Sequence, residues 1–141
     1  MRICFVCYGN ICRSPMAEYI LKQKLREIGK DGDFVVESRA ISDEEYGHDI
    51  YSPIKDVMDK QQISYDKHKA TPLKASDYSK FDKFICMDDS NVRDINYIFD
   101  NTSKVSKLLD RDISDPWFTR DFNQAYQDIS EGIDKLMKEI S

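Results

Sequence analysis

The chain carries at residues 3–15 the sequence ICFVCYGNICRSP, which decides how its N-terminal part folds. The first four residues of this stretch are apolar and predict a short buried strand. After the stretch, apolar side chains recur at helical spacing, at Ala17, Ile20, Leu21, Leu25 and Ile28. Ser14 is the predicted N-cap of this helix and Pro15 its first residue, where a missing N–H is tolerated. The stretch therefore predicts a strand, a loop and a helix in that order.

The loop between this strand and this helix is predicted to bind an anion. Unpaired N–H groups and the positive end of the helix dipole favour negative charge at a helix N-terminus. Gly9 and Asn10 tolerate the left-handed backbone that turns successive N–H groups inward. The residues predicted to bind phosphate are Tyr8, Gly9, Asn10, Ile11, Cys12, Arg13 and Ser14.

Three side chains of this segment suit phosphoryl transfer. A thiol beside a helix N-terminus and a cation is stabilised as the thiolate, so Cys7 is the predicted nucleophile. Arg13, six residues further on, can bind two phosphoryl oxygens with its planar fork. The Ser14 hydroxyl can stabilise the thiolate when it leaves. The pattern predicts a phosphatase site, although an isolated C-x5-R match also arises by chance.

Cys4 and Cys7 also form a C-x-x-C pair, which is typical of redox dithiols and zinc sites. Residues three apart on a strand point to opposite faces, and no second cysteine pair or nearby histidine completes a metal site. Cys4 is therefore predicted to be a core residue, and no metal is expected.

The whole chain predicts an α/β fold. A length of 141 residues suits one domain, residues 1-141. Strand and helix patterns alternate, which predicts a three-layer sandwich with a four-stranded parallel sheet and helices on both faces. The predicted strands are 3–6, 34–36, 81–86 and 105–109, and further helices start at 52–53, at 88–90 and at 122.

Composition narrows the function class. The net charge of −5 argues against general nucleic-acid binding. The longest apolar run is too short to insert into a membrane. Four cysteines without a leader peptide predict a reducing compartment, hence a cytoplasmic protein.

The run from Val6 to Glu18 closely resembles the bacterial type of low-molecular-weight protein tyrosine phosphatase. Residues 84–94 (FICMDDSNVRD) and 115–118 (DPWF) are similar to later signatures of that family, in the expected order. The resemblance implies a protein-tyrosine phosphatase that works through a cysteinyl-phosphate without a metal or cofactor. It implies phosphotyrosine proteins as substrates and a tyrosine kinase as a further partner, and it leaves the oligomeric state open.

A leaving phenolate needs a proton, and the resemblance identifies Asp115 as the general acid. Asp110 and Asp112 lie in the same segment, and the residues alone leave all three open. An Asp-Pro pair is also a common turn, which is the alternative interpretation. The same carboxyl could then act as the base toward the attacking water.

The resemblance further implies a hydrogen-bond network that supports the loop. Its members would be Asn10, Ser14, Ser38 and His68. A turn role for Ser38 and a solvated His68 are the alternatives.

The walls of the site are predicted to favour a phenyl ring. Trp117 and Phe118 can flank the ring and make the slot too deep for phosphoserine, although core packing is the alternative. Family members often carry an aromatic residue in the loop after the second strand, where this chain has the acidic residues 43–45. Tyr46 is the predicted substitute. Thr119 stands where a glycine usually follows in the family.

Other functions remain possible from the sequence. Arsenate reductases share this loop but use two further cysteines, and only Cys86 lies in the right region. Protein-arginine phosphatases have a smaller polar residue where this chain has Ile11. A non-enzymatic phosphate-binding module would need neither Cys7 nor Asp115.

Cys12 is a predicted redox partner of Cys7. The two cysteines are five residues apart in a loop that curls around an anion, so their sulfurs could approach bonding distance. A neighbouring thiol can trap an oxidised cysteine as a disulfide. The alternative is that Cys12 is only a small buried residue.

Overall fold

A computed structural model, which describes residues 1–141, has a parallel sheet between two layers of helices. The strands are β1 (Arg2–Cys7), β2 (Val35–Ala40), β3 (Lys83–Cys86) and β4 (Val105–Lys107). The α-helices are α1 (Arg13–Glu27), α2 (Ser52–Lys60), α3 (Asp89–Ile95), α4 (Pro116–Thr119) and α5 (Phe122–Ile140). The predicted four-stranded α/β sandwich is thereby confirmed.

The strand order β2-β1-β3-β4 places β1 in the interior of the sheet. The chain moves from β1 to one neighbour, β2, and then returns to the other side of β1 to form β3 and β4. Ligands of parallel sheets bind beyond the carboxyl ends of the strands at such a reversal. Cys7, the last residue of β1, pairs with Ala40 at the end of β2, so the loop after Cys7 begins at this edge.

Alternate residues of β1 enter two separate cores. Phe5 and Cys7 face the larger core, which packs against α1, α2 and α5. Cys4 and Val6 face the smaller core on the other side, with Phe84. The prediction that Cys4 is a core residue is confirmed, and burial raises the pKa of its thiol.

The start of α1 differs from the sequence prediction. The helix begins at Arg13 with Cys12 at the N-cap, and no side chain caps it. Ser14 cannot serve as the cap, because its hydroxyl lies against the Cys7 sulfur and accepts a hydrogen bond from the Asn10 amide. Pro15 is therefore the third helical residue, where its missing N–H is still tolerated.

The bounds of other elements differ from the predicted ones by a few residues. β2 continues to Ala40, β4 ends at Lys107, and the short helix α4 was not predicted. The two 3-10 helices, Asp31–Asp33 and Ala75–Lys80, were not predicted either. α5 begins at Phe122, as predicted. No helix combines the length and apolar composition that a membrane span requires.

Candidate active site

The Cys7 sulfur lies at the base of a pocket formed by the loop after β1. Its Sγ is 3.0 Å from the Ser14 Oγ, and the Asn10 backbone N–H donates to it at 3.3 Å. The Asn10 amide donates to the Ser14 Oγ at 2.7 Å, which leaves the Ser14 proton free to point at the sulfur. Hydrogen bonds to the sulfur favour the thiolate, the form in which a cysteine can attack phosphorus.

Asn10 fixes the loop through all its polar atoms. It has left-handed backbone (φ 60°), which asparagine tolerates better than most residues. Its side-chain amide also donates to the Ser38 Oγ at 2.9 Å, and its side-chain oxygen accepts the Thr71 N–H at 3.1 Å. Its carbonyl accepts from His68 Nε2 at 2.7 Å. The four residues predicted to support the loop thus lie in one network, and Thr71 is an addition.

The network continues to Glu18, which the sequence interpretation assigned no role. The Ser38 hydroxyl donates to Glu18 Oε1 at 2.6 Å, and Lys22 donates to Glu18 Oε2 at 2.6 Å. Glu18 is buried. A carboxylate on the apolar side of a helix needs partners in the interior, so its place among apolar residues of α1 was the available signal.

Acceptors outside the loop hold the Arg13 side chain in place. Its side chain is 2% exposed, and Nη1 donates to Asp88 Oδ2 at 2.7 Å and to the Ile113 carbonyl at 2.8 Å. Burial alone would lower the pKa of Arg13, but the charges of Cys7, Asp115 and Asp88 together raise it. The guanidinium is therefore positioned and charged before a substrate enters.

Asp88 is a second contributor that the sequence interpretation missed. It was predicted only as part of a helix start, and it does cap α3 by accepting the Asn91 N–H at 2.8 Å. Its other oxygen binds Arg13. The position of Asp88 just after β3 was the available signal, because strand ends converge at this edge.

Asp115 lines the pocket in the acid loop, the name used here for residues 110–121. Its Oδ1 accepts the Trp117 N–H at 3.0 Å, which caps α4. Its Oδ2 lies 3.4 Å from Arg13 Nη2, so this oxygen faces the anion site.

The two rival carboxylates lie elsewhere. Asp112 is bound by Lys107 and accepts the Asp89 N–H, both at 2.9 Å, and these contacts lower its pKa. Asp110 lines a different groove, between β4 and α5. Only Asp115 of the three borders the pocket.

The two walls of the pocket differ in chemistry. Trp117 and Phe118 form one wall, 44% and 79% exposed. The other wall consists of Tyr8, Glu44 and Glu45.

Tyr46 does not line the pocket, so its prediction as a wall residue is corrected. A turn in which the Tyr46 N–H donates to the Asp43 carbonyl leaves Tyr46 64% exposed. The Tyr8 hydroxyl donates to Glu44 at 2.7 Å instead, which places a different tyrosine in the wall.

The remaining cysteines are free and buried. Burial, followed by the charges of Cys7 and Asp115, raises the pKa of Cys12 well above its ordinary value. Burial raises the pKa of Cys86 to about 12, in the smaller core. The His, Cys, Asp and Glu side chains form no group of three or more that could hold a metal ion.

Comparisons with known proteins agree with this geometry. A family model described as low molecular weight phosphotyrosine protein phosphatase matches residues 2–141. The low molecular weight protein-tyrosine-phosphatase YfkJ of Bacillus subtilis is 32% identical over 98% of this chain and 94% of its own. PtpA of Staphylococcus epidermidis is 33% identical over 99% and 94%.

Solved structures share the fold. The crystal structure of YfkJ superimposes with a TM-score of 0.96 over 99% of this chain and 94% of its own, at 31% identity. A Drosophila arginine phosphatase superimposes with a TM-score of 0.91 over 99% and 97%, at 27% identity. The fold alone therefore does not distinguish the two substrate classes.

Proposed function

The chain belongs to the low molecular weight phosphotyrosine protein phosphatase family, and we propose that it hydrolyses phosphotyrosine in proteins through a cysteinyl-phosphate on Cys7. The observation that carries this proposal is the convergence of three groups on one pocket. The Cys7 sulfur, the Arg13 guanidinium and the Asp115 carboxyl reach it from β1, α1 and the acid loop.

In the first step the Cys7 thiolate attacks the phosphorus of the bound monoester. The S–P bond forms as the P–O bond to the phenol breaks, and protonated Asp115 gives its proton to the leaving oxygen. Arg13 and the loop N–H groups stabilise the charge on the three equatorial oxygens. Because Arg13 is already fixed by Asp88, little reorganisation is needed at this point.

In the second step water replaces the sulfur. Asp115, now ionised, accepts a proton from the water that attacks phosphorus, and the S–P bond breaks. The Ser14 hydroxyl, 3.0 Å from the sulfur, stabilises the departing thiolate. Inorganic phosphate leaves, and Asp115 is protonated again for the next cycle.

The walls support an aryl substrate. Trp117 and Tyr8 both line the pocket, and we expect them to contact the two sides of a flat phenyl ring and to hold a shorter phosphoserine away from the sulfur. The apolar Ile11 also lines the pocket, and it offers no hydrogen bond to the guanidinium of a phosphoarginine. Phosphotyrosine is therefore favoured over phosphoarginine.

The test compares peptides of one sequence that carry phosphotyrosine, phosphoserine or phosphoarginine. The phosphotyrosine peptide should show by far the highest kcat/KM, and Cys7→Ser should eliminate its turnover while the protein still binds vanadate. A preference for phosphoarginine would contradict the assignment of substrate, and turnover by Cys7→Ser above about 1% of wild type would contradict the covalent route.

Compartment and partners are further parts of the proposal. Four free thiols support a reducing compartment, namely the cytoplasm. The natural substrates are expected to be proteins phosphorylated by a tyrosine kinase. Capture of phosphoproteins on immobilised Cys7→Ser protein, with release by vanadate, would identify them.

A further inference from the structure

Tyr51 connects the phosphate-binding loop to the acid loop. It is the residue at the N-cap of α2, and its backbone N–H donates to the Ile11 carbonyl at 2.9 Å. Its ring packs on that of Trp117, which belongs to the acid loop, with centroids 4.9 Å apart. One half-buried residue thus touches both loops that carry the reacting groups.

Arg120 completes this contact from the end of α4. Its Nη2 donates to the Tyr51 hydroxyl at 2.8 Å, and its Nη1 donates to the Trp117 carbonyl at 3.4 Å. Its guanidinium also lies over the rings of Tyr51 and Phe122, 5.4 and 5.0 Å from their centroids. An exposed arginine normally samples many rotamers, whereas this one has several simultaneous partners.

The backbone of Arg120 is left-handed (φ 62°). This conformation is unfavourable for a residue with a Cβ and suits glycine. The arginine therefore occupies a position where its backbone is disfavoured, and its side chain makes all the contacts described above. The side-chain contacts offset that backbone strain.

Trp117 links these contacts to the general acid. Its backbone N–H donates to Asp115 Oδ1, its backbone carbonyl accepts from Arg120, and its ring packs on Tyr51. The orientation of the Asp115 carboxyl, with Oδ2 toward the anion site, depends on where this N–H lies. A displacement of Trp117 would therefore turn the carboxyl away from the leaving oxygen.

We propose that Tyr51 and Arg120 are positioning residues that hold Trp117 in place and so keep Asp115 in the orientation needed for proton transfer. The contacts of Tyr51 and Arg120 with Trp117 are called the clasp below. This inference rests on the proposed function. It adds a role for two residues that touch neither the phosphate nor the nucleophile.

The first test compares two substrates whose need for a proton differs. With phenyl phosphate the leaving oxygen requires protonation, whereas a nitrophenolate leaves without much help. Tyr51→Ala should lower kcat/KM for phenyl phosphate, which reports the step that releases the phenol, about tenfold, and Tyr51→Phe and Arg120→Ala should lower it about threefold, because a small misplacement of a catalytic group costs a large factor in rate. With p-nitrophenyl phosphate each variant should lose less than about twofold.

Controls separate this effect from a general loss of structure. Tyr97, 89% exposed, provides a matched tyrosine, and Tyr97→Phe should change neither rate. Equal losses on both substrates in Tyr51→Phe and Arg120→Ala would overturn the proposal, because they would indicate a defect in the phosphate-binding loop. Failure of the wild type to hydrolyse either substrate would instead refute the proposed function.

Trp117 is the only tryptophan of the chain, so its fluorescence reports the clasp directly. Its emission should shift to longer wavelength and become more accessible to acrylamide in Tyr51→Ala and Arg120→Ala, but not in Tyr97→Phe. An unchanged Trp117 signal in both variants would overturn the proposal, whatever happens to the enzyme's activity.

A double-mutant cycle tests whether the clasp acts through Asp115. In an Asp115→Asn background there is no proton to deliver, so adding Arg120→Ala should cause no further loss with phenyl phosphate. A further loss of about threefold in that background, equal to the loss in the wild type, would mean that the clasp does not act through the acid.

Discussion

Asn10 gives the phosphate-binding loop its shape through contacts outside the loop. Its side chain and carbonyl bind Ser38, His68 and Thr71, which belong to the segments that follow β1 in the chain. These contacts offset the left-handed backbone of Asn10 and hold its N–H against the Cys7 sulfur. One residue therefore connects the sheet to the Cys7 sulfur.

Asp115, the proposed general acid, is the residue whose role is easiest to isolate. Asp115→Asn keeps the hydrogen bond from Trp117 but has no proton to give. We expect kcat/KM, which reports the step that releases the phenol, to fall roughly 10²–10⁴-fold for phenyl phosphate and much less for p-nitrophenyl phosphate. Steady-state kinetics with both substrates measure this difference.

The neighbouring carboxylates are the matched controls. Asp110→Asn and Asp112→Asn should leave the ratio of the two rates close to that of wild type, since neither side chain lines the pocket. A selective loss in either variant would transfer the acid role to that residue.

Oxidation tests the pair of Cys7 and Cys12. Peroxide should inactivate the enzyme, dithiothreitol should restore it, and phosphate should protect it by filling the loop. Mass spectrometry of the oxidised protein should find Cys7 linked to Cys12.

Two variants make this prediction decisive. Cys12→Ser should recover incompletely, since Cys7 then proceeds to sulfinic acid. Cys86→Ser, altered in the other core, should behave as wild type. Full recovery of Cys12→Ser, or a linkage of Cys7 to Cys4 or Cys86, would show that Cys12 is only a buried packing residue.

Among the elements, α5 closely approaches Leu108, the residue after β4, at a single glycine. A Cβ on Gly132 would meet three side-chain carbons of Leu108 at 3.0 Å or less. Gly132→Ala should therefore lower the free energy of unfolding by about 1–3 kcal/mol through overpacking, although alanine is the better helix former. Urea denaturation followed by Trp117 fluorescence measures this change.

Ser130 on the same helix provides the control. Its hydroxyl is buried without a hydrogen-bond partner. Ser130→Ala should leave stability unchanged or raise it by up to about 1 kcal/mol, since it removes an unpaired group and improves helix propensity. A stabilised Gly132→Ala protein would mean that α5 can move away from Leu108 at no cost.

The elements were predictable where local patterns determine them. The apolar run of β1, the stripe of α5 and the Ser52-Pro53 start of α2 all appear at the predicted places. The predicted start of α1 was wrong. Ser14 has the residue type of an N-cap, but its hydroxyl contacts the Cys7 sulfur and accepts a hydrogen bond from the Asn10 side chain across the loop. Local propensity cannot reveal a partner that tertiary contacts supply.

At the scale of the whole molecule, the site combines segments that are distant in sequence. The loop and the acid aspartate could be located from motifs, whereas Glu18, Asp88 and the Tyr51–Arg120 pair could not. These residues act by contacts that exist only after the sheet has formed. Glu18 and Asp88 lie within the stretches that carry the family resemblance, but the stretches alone do not show which side chains they contact. The prediction of Tyr46 as a wall residue failed for a similar reason, because a turn directs Tyr46 away from the pocket.

The charge of the molecule predicts a preference for certain substrates. Glu44 and Glu45 border the pocket of a protein with a net charge of −5. Phosphotyrosine peptides with basic neighbours should therefore have a KM about two- to fivefold lower than peptides with acidic neighbours, as expected for exposed charge pairs. The difference should decrease as salt is added.

Neutral variants locate the source of this preference. Glu44→Gln and Glu45→Gln together should remove most of the difference, whereas Glu27→Gln, exposed at the end of α1, should not. Indifference of the wild type to flanking charge at low salt would place these carboxylates outside the path of the peptide.

The covalent intermediate is the most direct test of the whole account. Asp115→Asn enzyme mixed with p-nitrophenyl phosphate and quenched within the first turnovers should carry one phosphoryl group, because formation needs little acid catalysis and hydrolysis lacks its base. Mass spectrometry of the digested protein should place that group on the Cys7 sulfur, and Cys7→Ser should carry none. A burst of nitrophenol without a phosphorylated enzyme, or a phosphoryl group on any residue other than Cys7, would contradict the proposed mechanism.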